Sequence, residues 1–209
     1  MCNSPFYIND ICRKWDCDEG KTRYACNYSY GYGGTNTFVI LREANEPGKC
    51  NKSEREELFI LTAKTKKSLD ENIKSYISFL SNAENRNLTE ICYNASTRRI
   101  LFEDYRLAVI ARDSVDLLSK LKSFQIDGYC DGVFYGEKNN IHTDKPRYES
   151  TVGKDRLTIA KDFTDGINFK FSELFSDLNL GFCELPRYVF DKERCWCENR
   201  AKQRGMYLG

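Results

Sequence analysis

The residue types most suited to chemistry lie in one glycine-rich stretch, Ser29-Tyr30-Gly31-Tyr32-Gly33-Gly34-Thr35-Asn36. Glycine tolerates positive φ and lets backbone amides approach a bound group closely, which suits an oxyanion or a phosphate. The stretch is not a dinucleotide fingerprint, because the third glycine of G-x-G-x-x-G is missing and β-rich sequence follows where a helix is required. Spacing alone therefore favours a tight turn over a binding site.

Other candidate chemistry is sparse. The chain has one histidine, His142, and its polar surroundings favour a solvated loop position. Cys26 lies within a strand pattern and not at a helix start, where a thiolate would be stabilised. Further cysteines lack the C-x-x-C spacing typical of structural zinc, so we predict no metal site; they include Cys12, Cys17, Cys195 and Cys197.

The elements that must position the glycine stretch are two β-rich runs, residues 24–29 and 36–41, which predict a hairpin-like return through a glycine turn. A polar connector rich in Asn, Pro, Gly, Lys and Glu follows over 43–57. Beyond it the pattern predicts a strand at 58–61 and a helix over 68–80. We expect a domain boundary in the connector.

The remaining pattern predicts a helix capped by Asn87, a strand at 105–110, and a helix capped by Asp113 and Ser114 that runs to Phe124. Asp113-Ser114-Val115 is similar to a phosphopantetheine attachment sequence, but it follows a strand, and helix capping accounts for Ser114. A further strand is expected at 133–135, a polar loop at 138–153, a helix over 157–163 and an extended tail over 183–198. This order predicts a small α/β layer with helices on one face of a sheet.

The glycine octet resembles the S-F-G-F-G-G-T-N loop of β-ketoacyl synthases, which are condensing enzymes of the thiolase-like fold. The resemblance extends upstream to Asn3-Ser4-Pro5-Phe6-Tyr7-Ile8-Asn9 with Trp15, and downstream to the closing strand Phe38–Ala44. It implies that Tyr32 gates an acyl pocket and that its N–H contributes to an oxyanion hole. The candidate residues of this pocket remnant are Gly31, Tyr32, Gly33, Gly34, Thr35 and Asn36.

Two later stretches carry the same resemblance. Leu58–Thr65 and Arg106–Ala111 resemble the L-F-x-L-S-A-K-T opening and the R-L-A-V-V-A strand of the linker domain that follows polyketide ketosynthases. Leu185–Trp196 resembles the closing signature L-P-T-Y-P-F-x-x-E-R-Y-W, with Arg187, Val189 and Cys195 as departures. A G-x-S-x-G elbow is absent from the sequence, so the layout is similar to synthases whose acyltransferase acts in trans.

The resemblance implies an α/β (α+β) chain in four parts. A ketosynthase end over 1–44 and a connector over 45–57 precede an α/β linker domain with a three-stranded sheet over 58–137. A post-linker segment follows over 138–209, and its tail is expected to pack on the ketosynthase. Condensing enzymes use a cysteine and two histidines, so we predict no catalytic residues and a structural, interacting role. Expected partners are the rest of a ketosynthase or synthase and an acyl carrier protein, whose phosphopantetheine is the only cofactor involved. A split ketosynthase completed by another chain and a decayed gene fragment remain alternatives.

Bulk composition bears on the other partner classes. The 32 basic and 31 acidic residues nearly cancel, so neither nucleic acid nor a membrane is an expected partner. The opening residues lack a signal-peptide pattern, which favours the cytoplasm. The even count of 10 cysteines and the sequons at Asn27, Asn51, Asn87 and Asn94 leave open a secreted, cysteine-rich binding protein.

Overall fold

The structure, a computed structural model, describes residues 8–44, 55–82, 87–137 and 148–194. The chain divides into two units, residues 1–46 and 47–209. The motif residues 3–7, His142 and the sequence Cys195-Trp196-Cys197 lie outside the described residues.

The first unit contains the predicted hairpin. Strand β1 (Tyr24–Tyr30) pairs antiparallel with β2 (Asn36–Arg42), in a register that sets Tyr24 opposite Arg42 and Tyr30 opposite Asn36. The glycine stretch connects the two strands, as the turn signals indicated. The β-rich composition on both sides of a glycine cluster was therefore a sufficient local signal.

The second unit is built on a three-stranded antiparallel sheet in the order β3-β4-β5. The strands are β3 (Glu57–Ala63), β4 (Tyr105–Ala111) and β5 (Val133–Glu137). Every position of β3 and six of the seven positions of β4 are buried. Such continuous apolar runs are typical of strands covered on both faces.

The described residues of this unit also form four α-helices, and a side chain caps the N-terminus of each. They are α1 (Lys66–Ser81), α2 (Leu88–Thr97), α3 (Ser114–Asp127) and α4 (Arg156–Thr164). Asn87 and Asp113 accept hydrogen bonds from the first turns of α2 and α3, as predicted, while Thr65 and Asp155 serve α1 and α4. A 3₁₀ helix follows at Phe171–Phe175.

The core has two layers because alternate strand residues face opposite sides of the sheet. Phe59, Leu107 and Val109 pack with residues from α1, α2 and α3. Leu58, Ile60 and Ala108 pack instead with α4 and with the phenylalanines that follow it. The three helices within 58–137 thus lie on one face, as expected, but α4 covers the opposite face, which the sequence pattern did not predict.

No helix among the described residues combines the length and the apolar character needed to cross a bilayer.

Candidate functional site

The glycine stretch is a five-residue loop, residues 31–35, closed by its own backbone hydrogen bonds. The Gly31 N–H donates to the Thr35 carbonyl over 2.7 Å, and the Gly34 N–H donates to the Gly31 carbonyl over 2.9 Å. Gly34 has φ +92°, and a Cβ at Gly31 would lie 2.8 Å from the Thr35 oxygen. Both positions therefore require glycine, and two of the loop's amides are already used in the turn.

Tyr32 stands at the tip of this loop with its ring fully exposed. Within the described part of the chain, its N–H has no hydrogen-bond partner. Gly33 is beside it in the loop, Thr35 follows, and Asn36 begins β2. The loop thus presents one aromatic side chain and one available amide, and their assignment to an acyl pocket stays a prediction.

The base of the hairpin is held by a charged pair. The Arg23 guanidinium donates to the Glu43 carboxylate, the Arg23 N–H donates to Oε2 of the same carboxylate over 3.2 Å, and the Glu43 N–H donates to the Arg23 carbonyl over 2.9 Å. The hydrogen bond from the Arg23 side chain is the main cause that lowers the pKa of Glu43 to about 2. This pair extends the strand ladder by one position.

The hairpin exposes apolar side chains on both faces, and one face is strongly aromatic. On that face the rings of Tyr28 and Phe38 lie 4.3 Å apart, with Tyr30 stacked 5.8 Å from Tyr28, and Ile40 is 61% exposed. The other face is mixed, since the exposed Val39 and Leu41 stand among the polar residues Asn27, Ser29 and Thr37. Because soluble domains bury extended apolar surface, the exposed aromatic face is typical of a strand pair that packs within a larger structure.

Most of the other sequence candidates are structural. Asp113 accepts from the N–H groups of Val115 and Asp116 and so caps α3, whereas Ser114 is the first residue of the helix and not a cap, contrary to the prediction. Cys26 lies on the exposed strand β1. Among the residues that the structure describes, no three His, Cys, Asp or Glu side chains are grouped as metal ligands.

Two of the buried charged residues of the second unit, Glu57 and Arg106, make contacts that the sequence pattern did not predict. Glu57, at the start of β3, accepts from Arg55 and from Thr89 over 3.1 Å each at Oε1, and from Arg156 over 3.1 Å at Oε2. Arg106 on β4 is 1% exposed and donates to the carbonyls of Phe163 and Ile167 over 3.0 and 3.1 Å. Glu57 therefore joins β3 to α2 and α4, and Arg106 joins β4 to the end of α4.

The described part of the closing signature packs on the same unit. The Tyr188 hydroxyl accepts from the Lys64 N–H over 3.0 Å, and the Val189 N–H donates to Asn72 over 2.9 Å. Asp191 accepts from Lys67 over 2.7 Å near the start of α1. This segment is therefore anchored on β3 and α1, and its expected contact with a ketosynthase stays a prediction.

Comparison with known proteins connects these features to one family. Residues 57–121 match the family described as CurL-like, PKS C-terminal. Polyketide synthase PksL of Bacillus subtilis (strain 168) is 29% identical over 210 residues, an alignment that covers 93% of this chain. The resemblance to a polyketide synthase ketosynthase region is confirmed. A second relative, polyketide synthase PksN of the same organism, is 25% identical over 214 residues and matches 94% of this chain.

Solved structures agree with the thiolase-like assignment. A ketosynthase from module 6 of the bacillaene synthase of Bacillus subtilis 168 is 25% identical with a TM-score of 0.59, and the match covers 92% of this chain and 37% of that one. Ketosynthase twelve from the bacillaene polyketide synthase of Bacillus amyloliquefaciens has the same fold, with a TM-score of 0.57 at 22% identity over 87% of this chain and 29% of that one. The chain spans only 5% of PksL and 4% of PksN.

Proposed function

We propose that this chain is a non-catalytic structural and interaction module of a polyketide synthase, and that its β1–β2 hairpin completes a ketosynthase. The carrying observation is the hairpin itself: all of its strand residues except Ala25 are exposed, although one face is aromatic and the other carries Val39 and Leu41. The second unit has a closed two-layer core of its own. The hairpin thus leaves apolar surface for a partner sheet to bury, whereas the second unit already buries its own.

In this proposal the rest of the ketosynthase supplies the nucleophile and the histidines for decarboxylative condensation. The hairpin adds the loop with Tyr32, whose N–H has no partner among the described residues and could bind a developing oxyanion. The acyl groups would arrive as phosphopantetheine thioesters on an acyl carrier protein, in the cytoplasm. If the rest of the ketosynthase is a separate polypeptide, the same geometry makes the chain one subunit of a split ketosynthase.

Binding to a truncated ketosynthase tests the proposal. The chain is mixed with a ketosynthase polypeptide from a synthase with a trans-acting acyltransferase, truncated before its own glycine hairpin, and the complex is measured by affinity co-purification. Ile40→Asp and Leu41→Asp place a charge on opposite faces of the hairpin, and each should abolish capture because the partner sheet would bury that charge. Both side chains are exposed here, so the isolated chain should fold unchanged.

Val115→Asp is the matched control, since Val115 is an exposed apolar residue of α3 in the second unit. It should leave capture unchanged. Capture that survives both hairpin substitutions would overturn the proposal. Condensation of carrier-bound acyl groups by the chain alone would overturn its non-catalytic part, whereas condensation only by the complex would identify a split enzyme.

A further inference from the structure

A groove crosses the second unit between residues 98–102, which follow α2, and residues 182–190, which include the start of the closing signature. It consists of two adjoining depressions of about 320 and about 210 Å³ that share Arg98 and Arg99. All of the lining residues belong to the second unit, so binding in the groove can be tested separately from the hairpin substitutions.

The larger depression offers an apolar surface. Away from the arginines, two of its polar wall groups are already used, because Asn72 accepts from the Val189 N–H and Thr62 accepts from the Phe102 N–H, each over 2.9 Å. The remaining wall is mostly aromatic and aliphatic and includes Tyr76, Ile100, Leu101, Phe102, Tyr188 and Phe190. A site of this kind selects an apolar side chain.

The smaller depression is positively charged, with Arg98, Arg99 and Arg187 against the single carboxylate of Glu184. Arg99 donates to two backbone carbonyls, those of residues 185 and 186. Arg98 lies over the Tyr93 ring, and neither it nor Arg187 has a carboxylate partner within the described part of the chain. Two guanidinium groups are thus available to an anionic ligand.

The exposed apolar side chains favour an extended ligand. They stand at both ends of the arginine cluster: Ile100 and Phe190 at the larger depression, 79% and 68% exposed, and Phe182 at the smaller one, 61% exposed. An extended segment that crosses the arginines can contact apolar side chains at both ends.

We infer that this groove docks an extended segment of a partner protein, in which acidic residues alternate with apolar ones. Carboxylates of the segment bind Arg98 and Arg187, and a neighbouring apolar side chain fills the larger depression. The occupant is defined by complementarity of charge and surface: the cationic end excludes a basic segment, and the apolar end excludes one that is wholly polar. The interaction weakens as salt is added, because exposed charges are screened.

Fluorescence anisotropy with the full chain tests this inference. The probe is a short labelled peptide of alternating glutamate and leucine, compared with one in which lysine replaces glutamate and one in which serine replaces leucine. Only the first should bind. Arg98→Gln and Arg187→Gln should each weaken binding roughly tenfold, as expected for loss of a charge-assisted hydrogen bond, and Ile100→Asp should weaken it as well.

Arg112→Gln is the control, since Arg112 is an exposed arginine that pairs with Glu56 outside the groove. It should bind like the unaltered chain. Equal binding of the lysine peptide, or unchanged affinity in the Arg98 and Arg187 variants, would overturn the inference. Binding of decanoate to the larger depression without binding of the acidic peptide would also overturn it, and would assign the cavity to a small carboxylate.

Discussion

At the scale of single residues, the glycine loop is defined by close contacts within the backbone. The Thr35 carbonyl accepts the Gly31 N–H and would also lie 2.8 Å from a Cβ at Gly31. Gly33, two residues along, has open space where its Cβ would be and an unstrained φ. A side chain at Gly31 would therefore clash with the backbone, whereas one at Gly33 would not.

Gly31→Ala should open the hairpin, whereas Gly33→Ala should leave it closed. An isolated two-stranded hairpin is marginally stable, so a steric cost of about 1–2 kcal/mol is enough to depopulate it. Nuclear Overhauser contacts between the paired residues Tyr28 and Phe38 measure the closed population. Equal loss of these contacts in both variants would show that the loop tolerates neither substitution and that the Thr35 contact is not the reason.

Glu43 provides a pH-dependent clamp at the hairpin base. Its pKa is lowered from 4.5 to about 2, chiefly by the hydrogen bond from the Arg23 side chain. A carboxyl whose pKa is depressed on folding stabilises the fold fully above its unfolded pKa, and that contribution is lost as the pH falls through the folded value. The clamp should therefore persist at pH 5 and weaken between about pH 4.5 and 2.

Titration of the Glu43 carboxyl carbon by NMR measures this directly. The unaltered chain should show a midpoint near 2, and Arg23→Gln should return the midpoint towards 4.5. A Glu43 midpoint near 4.5 in the unaltered chain would contradict the pairing.

At the scale of elements, local signals predicted most of the second unit. The strands β3 and β4, the helix α1 and the caps Asn87 and Asp113 follow from runs of a few neighbouring residues. The buried charges could not be found this way, because Glu57 and Arg156 are 99 residues apart and Arg106 and Ile167 are 61 residues apart. Separation along the chain also explains why the position of α4 was not predicted. A helix in this stretch was expected from local sequence, but its packing on the opposite face of the sheet depends on residues far along the chain.

Glu57→Gln tests the buried network that joins β3, α2 and α4. The side chain is 2% exposed and pairs with both Arg55 and Arg156. Removing its charge leaves two guanidinium groups without their shared carboxylate, and breaking a buried pair costs about 3–5 kcal/mol. Because Arg55 and Arg156 are partly exposed, we expect the lower end of this range, measured as the free energy of unfolding in urea.

The control for this experiment is Glu71→Gln on α1, whose ion pair with Lys74 is exposed on the helix surface. Such pairs contribute at most about 1 kcal/mol. Similar losses for the two variants would mean that Glu57 acts as an ordinary surface charge, and that the three elements are held by apolar packing alone.

At the scale of the whole molecule, the two units differ in what they bury. Every residue of the two apolar core clusters belongs to residues 58–185 of the second unit. The hairpin keeps its aromatic and aliphatic side chains exposed. The proposed assignment of the hairpin to a ketosynthase would account for this asymmetry, because strands without their parent sheet keep unpaired edges, whereas the second unit buries a core of its own.

Thiol reactivity should report this asymmetry across the chain. Cys12, Cys17 and Cys26 are exposed in the first unit, whereas Cys92 lies on the buried face of α2, where burial raises the pKa of its thiol. Because the thiolate is the reactive form, iodoacetamide at pH 8 should label the first three in the native chain and reach Cys92 only after unfolding in guanidinium. Peptide mass spectrometry identifies each site. Prompt labelling of Cys92 would contradict the closed core, and resistance of Cys12 and Cys17 that disappears on reduction would instead support the disulfide-bonded, secreted alternative.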